Sequence, residues 1–170
     1  MSTSPAPLRI TPQQYLEAER RATFKSEYFD GGVYVRAGGT RRHSLIEANL
    51  AYEAVGKFRG RPCEVHGSNM NHGEVLENPG AIFEILSPST EKYDRTAKFD
   101  GYCSIPTFTQ YALISQEEPR VEVFSRTGES WIFTRFTGLD ATATFPSLEI
   151  AIPLASLYDR IDFTQPDILV

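Results

Sequence analysis

A chain of 170 residues, 41% hydrophobic and 23% charged, is long enough for one domain with a sizeable core. A net charge of -5 argues against general electrostatic affinity for nucleic acid, although a local basic face is compatible with it. No apolar run is long enough to span a bilayer and "MSTSPAPLRI" lacks the features of a secretory signal, so the expectation is a cytoplasmic protein with no membrane partner.

Residues 1–10 read as a disordered leader rich in Ser, Pro and Ala. Thr11, Pro12 and Gln14 make a capping-box start and predict a helix over 12–22. "SEYFDGGVYVRAGG" (26–39) predicts two short strands around Asp30-Gly31-Gly32. Residues 40–60 predict a long helix, with Ile46, Leu50, Ala54 and Phe58 recurring every fourth residue. Leu45, Ala48, Tyr52 and Val55 are expected to widen that buried stripe, and Gly60 to end it. "CEVHGSNM" (63–70) reads as a strand, and 71–80 as a polar connection. "AIFEILS" (81–87) shows no alternation, which predicts a central strand covered on both faces.

Asp94 is expected to cap a helix over 95–104 that turns Phe99, Tyr102 and Cys103 inward, with Lys98 at the edge of that face. Strands follow at 109–115, 120–126 and 130–136, then a closing helix at 153–161. The reading is a single domain over 11–162 with a tail at 163–170. Its class is α+β (α/β): helices packed on a mixed, mainly antiparallel sheet. Cys63 and Cys103 form no C-x-x-C pair. They suit reduced, partly buried thiols, or a disulfide in an oxidising compartment. His66 and His72 have no partner at zinc-ligand spacing, and no phosphate loop, nucleophile elbow or H-E-x-x-H is present.

Glu84 is the one charge in its strand. An unpaired carboxylate there costs several kcal/mol, so it is either neutralised or functional. Lys98, fourteen positions later on the next helix, is able to meet it. Such a pair is either a satisfied ion pair or part of a site that binds a hard cation and phosphate oxygens.

Several segments carry a resemblance: "SEYFDGGVY", "RRHSLIEANL", "GRPCEVHGSNM", "NPGAIFEILSPSTEKYDRTAKFDGYCSIPTFTQYALI", "PRVEVFSR" and "TGLDATATFPSLEIAIPLASLY". In that order they resemble the Uma-two family from about Thr11 to Tyr158. The string E-x-L-S-P-S-T…Y-D-R…K is the most specific part. Members are placed in the PD-(D/E)-x-K restriction-endonuclease-like fold, a mixed sheet flanked by helices, here with added antiparallel C-terminal strands. The resemblance implies Mg²⁺-dependent (or Mn²⁺-dependent) hydrolysis of DNA phosphodiesters. It implies a metal-ligand role for Glu84, a charge-stabilising role for Lys98 and a further acidic position near the site at Glu27. Glu27 also suits a plain exposed hairpin glutamate. Leu86 stands where related nucleases keep a lysine two residues after the glutamate.

The chain also departs from the family. A strand of the type Y-x-P-D-V-x-V, which carries the main metal-binding aspartate, is missing between "CEVHGSNM" and "NPGAIFEIL". Its absence implies impaired cutting, or an inactive module on the same fold that binds nucleic acid or protein. Glu64 and Glu74 are the acidic residues nearby. Arg41, Arg42 and Arg95 are candidates to position a DNA backbone, and His43 either contacts phosphate or is a packing histidine. A homodimer would suit a nuclease that cuts both strands of a duplex.

Overall fold

The computed structural model describes residues 9–23, 26–29, 31–35, 39–67, 78–88 and 90–168. The described residues fall into two compact units, a small one over 9–35 and a larger one from Gly39 onward.

In the small unit, helix α1 spans Pro12–Glu19. The capping box forms: Gln14 N–H donates to Thr11 Oγ1 at 3.2 Å and Thr11 N–H donates to Gln14 Oε1 at 2.8 Å. The helix ends three residues before the expected Ala22. Strands β1 (Ser26–Phe29) and β2 (Gly32–Val35) form the expected antiparallel hairpin. Gly31 turns it at φ +82°, a conformation that costs glycine little. Glu19 ties α1 to β1 by accepting from Ser26 N–H and Oγ–H at 3.2 and 2.6 Å. Tyr15 stacks on Tyr28 with ring centroids 5.2 Å apart.

The larger unit opens with α2, Arg41–Phe58. Ile46, Ala54 and Phe58 are buried as the four-residue repeat requires, and Leu50 packs against them. The wider stripe does not form, since Ala48 and Val55 are exposed and Tyr52 is 81% exposed. One face of α2 suffices to cover the sheet.

The N-terminus of α2 is capped from two directions. Thr40 Oγ1 accepts from His43 N–H at 3.2 Å. The chain end supplies the rest: Asp167 Oδ1 accepts from Arg42 N–H at 3.1 Å, and Ile168 C=O accepts from Arg41 N–H at 2.7 Å. Three N–H groups that a helix start leaves unpaired are thereby satisfied. Burial raises the pKa of Asp167, but hydrogen bonds from Thr40 and from the Arg42 and Ile168 N–H groups outweigh it and lower the pKa overall.

Residues 162–168 are therefore docked, where sequence suggested a plain tail. Arg42 holds them. It is buried and donates to the carbonyls of Gln116, Asp162 and Gln165. Arg42→Met is expected to release this segment. Limited proteolysis should then cut within 162–168, while protection of the sheet amides stays unchanged.

The sheet has the order β3-β4-β5-β6, with β3 at Ala81–Ile85, β4 at Gln110–Ile114, β5 at Arg120–Thr127 and β6 at Ser130–Thr137. β3 and β4 are parallel, and the other pairs are antiparallel. One face carries Phe83, Ile85, Ala112, Ile114, Val121 and Val123, packed under α2. The other carries Ile82, Tyr111, Leu113, Phe124 and Trp131, packed with Leu86, Phe99, Tyr102 and Phe108.

β3 is covered on both faces, and β4 is its one partner among the described strands. Two expectations are corrected here. Residues 63–67 are exposed and form no strand; 68–77 lie outside the described residues. The closing helix is only Leu154–Leu157, because Tyr158 leaves helical geometry at φ −103°, ψ 22°. That helix is α4.

Sequence patterning also passed over a hairpin, β7 (Thr142–Phe145) with β8 (Ile150–Pro153). The signal was present: Ala143 and Phe145 are buried between exposed Thr142 and Thr144, an alternation typical of a half-buried strand.

Candidate active site

Between β3 and β4 the chain forms one helical run, α3, from Glu91 to Cys103. α-Helical turns at Glu91–Tyr93 and Phe99–Cys103 flank a π-helical stretch at Asp94–Lys98. Single π turns are uncommon and concentrate at functional sites. Asp94 is inside this run and does not cap it; the cap position is Thr90. The Thr90 hydroxyl is hydrogen-bonded to that of Ser87 at 2.8 Å.

α3 lies over the sheet face that carries Glu84. Cross-strand register places Glu84 (β3), Leu113 (β4), Glu122 (β5) and Arg135 (β6) in one row. Directly opposed residues share a face, so all four side chains meet the underside of α3 or its margin.

Two charged clusters result. In the first, Lys98 Nζ lies 2.9 Å from Glu84 Oε1 and 3.1 Å from Asp94 Oδ1. Tyr102 Oη–H also reaches Glu84 Oε1, at 3.4 Å. The Tyr111 hydroxyl donates to the Asp94 carbonyl at 2.9 Å. The Glu84 side chain is 16% exposed and that of Asp94 2%. One ammonium thus lies between two carboxylates.

The predicted meeting of Glu84 and Lys98 occurs. Asp94 was missed as a member of the cluster, although its i, i+4 spacing to Lys98 on one helix was the available signal.

In the second cluster, buried Glu122 accepts from Arg95 and Arg135, and Arg120 lies within 3.4 Å. Arg95 also donates to Glu91 at 2.8 Å. Burial raises the Glu122 pKa, but the hydrogen bonds and charge of Arg95, joined by Arg135 and Arg120, outweigh it and hold the carboxyl below its ordinary value. A lone glutamate between Val121 and Val123, with arginine at 120, was the sequence signal for this cluster.

The other candidates are more scattered. Arg95 is bound to Glu91 and Glu122, and Arg42 is buried in the C-terminal contact described above. Arg41 is exposed and His43 half-buried on the first turn of α2. Glu27 belongs to the small unit, where it pairs with Tyr34 across the hairpin; its side chain lies outside the described residues, as does Glu74. Glu64 is exposed and lies 3.0 Å from His66 Nε2. Among the described residues no three His, Cys, Asp or Glu side chains cluster as a metal site. Neither Cys63 nor Cys103 is in a disulfide, and burial raises the Cys103 pKa. No helix among the described residues is long and apolar enough to cross a membrane.

A mixed sheet with a Glu–Lys pair where its parallel strand ends defines a nuclease-like α+β domain. Residues 64–155 match the model of the Uma2 family, described as "Putative restriction endonuclease", and the chain belongs to that family. Two relatives from Synechocystis sp., both named only as uncharacterized proteins, are similar over most of their length. One, slr1290, is 27% identical over 157 residues, covering 78% of this chain and 83% of its own. The other, sll1609, is 28% identical over 168 residues, covering 83% of this chain and 95% of its own. The fold resembles the crystal structure of a "putative nuclease belonging to DUF820" from Anabaena variabilis, with a TM-score of 0.63 and 17% identity. That match covers 85% of this chain and 97% of the other.

Proposed function

We propose that this chain is a metal-dependent endonuclease-type domain acting on DNA, with cutting weakened by the lack of the aspartate-bearing strand. The observation that carries the reading is the Glu84–Lys98 pair, 2.9 Å apart between β3 and α3. Glu84 would hold Mg²⁺ or Mn²⁺, which supplies a Lewis acid at the scissile phosphate. Lys98 would stabilise the charge that builds there. Arg41 and His43 would supply backbone contacts.

The donor set fits Mg²⁺ only loosely. This ion accepts one or two carboxylates completed by water and substrate oxygens. Here one oxygen of Glu84 already faces Lys98, and Asp94 is held by the same lysine. The site therefore suits a cation brought in with the phosphate better than one held beforehand.

Mn²⁺ binding followed by electron paramagnetic resonance tests this reading. Binding is expected to be weak for the protein alone, at least about tenfold tighter with DNA present, and absent in Glu84→Gln. Mn²⁺ binding indifferent both to DNA and to Glu84→Gln would refute the reading. The sharing of Lys98 between two acids also favours a second reading, an inactive module. It predicts salt-sensitive DNA binding, or a protein partner, with no metal requirement.

A further inference from the structure

Among the described strands the sheet ends on β6, whose one protective device is the charge of Arg135. It runs eight residues and pairs with β5 alone among the described strands. Its outer side therefore presents a row of backbone N–H and C=O groups ready for another strand. Protected edges carry lysine, proline, a bulge or an inward charge. "SWIFTRFT" has no lysine, proline or acidic residue, and its register with β5 runs unbroken from Thr137 to Ser130. Ile132 and Phe133 remain 54% and 48% exposed.

The strand is complementary to a second copy of itself. Antiparallel self-pairing brings together residues of like parity, which share a face and point their backbone groups the same way. With Thr134 on the two-fold axis, it meets its own counterpart. Phe133 then faces the partner's Arg135, and Ile132 faces the partner's Phe136. Threonine pairs, arginine on an aromatic ring and aliphatic against aromatic are all favourable cross-strand contacts. Arg135 is the strand's only charge, and its guanidinium already lies 5.5 Å from the Phe133 ring centroid on that face. A register centred on Arg135 would instead oppose two guanidinium groups.

We propose that β6 is a homodimer interface, pairing antiparallel with β6 of a second copy about Thr134 to make one continuous sheet from two four-stranded halves. The two Glu84 positions would then lie on the same side of that sheet, about 34 Å apart by the ~4.8 Å strand spacing. The interface does not depend on whether the chain cuts DNA.

Analytical ultracentrifugation of the full chain tests it, in a Cys63→Ser background that removes the exposed thiol. The chain is expected to sediment as a dimer at micromolar concentration. Ile132→Lys should weaken the dimer at least about tenfold with an unchanged circular dichroism spectrum. Thr134→Cys should form a disulfide-linked dimer on mild oxidation, and Ala155→Cys, exposed on α4, should not. A monomeric chain, a dimer indifferent to Ile132→Lys, or equal cross-linking at both cysteine positions would overturn the proposal.

Discussion

Lys98→Met is expected to lower stability by about 3–5 kcal/mol, because it takes the shared ammonium away from buried Asp94 and half-buried Glu84. Glu84 and Asp94 reach Lys98 at 2.9 and 3.1 Å, and the Asp94 side chain is almost fully enclosed. Methionine has similar length and fills the space, so the loss comes from charge and not from a cavity. Glu84→Gln should cost far less, about 1 kcal/mol. Lys98 then keeps Asp94, and the glutamine oxygen can still accept from Tyr102. Urea denaturation of the two variants checks the order. An equal loss in both would show that Lys98 serves Glu84 alone.

Glu122→Ala is expected to cost about 3 kcal/mol, since it leaves Arg95, Arg120 and Arg135 converging on an empty centre. The loss falls at the lower end of that range because Arg135 is half exposed and can turn to water. Here pH adds a second readout. The folded-state pKa of Glu122 lies below the ordinary glutamate value. A depressed carboxylate contributes stability above its unfolded pKa and loses it as pH falls through the folded value. Wild-type stability should therefore fall on acidification below about pH 4.5. Glu122→Gln should show a shallower fall over the same range in acid titrations followed by circular dichroism. An identical slope would remove Glu122 from the acid response.

The fold was legible where a pattern was local. The capping box at Thr11, the Gly31 turn and the four-residue repeat through Ile46 and Phe58 are each complete within a few residues. The pairing of β3 with β4 was not legible, because "AIFEILS" reads alike wherever both faces are covered and strand order has no local signature. Tyr52 was misjudged for a related reason. An apolar helix position is buried only if something lies over it, and the sheet needs only one face of α2.

Within the site, the Glu84–Lys98 pair was readable from a lone charge in an apolar strand and a lysine on the following helix. Asp94 was hidden by its position, since an acid just before the expected helix at 95–104 resembles a helix-start residue. The π-helical stretch from Asp94 to Lys98 has no signature in sequence, and Asp94 and Lys98 are its first and last residues. Arg42 and Arg95 looked like surface cations because guanidinium groups usually are. Each instead binds partners far away in sequence: Asp162 and Gln165 for Arg42, Glu122 for Arg95.

Cleavage of a DNA panel (duplex, single-stranded and branched) with Mg²⁺ or Mn²⁺ tests the central claim most directly. The account predicts slow, metal-dependent cutting that chelation abolishes and that is lost in Glu84→Gln, a variant expected to stay folded. No cutting of any substrate by the wild-type chain, or equal cutting by wild type and Glu84→Gln, would contradict it.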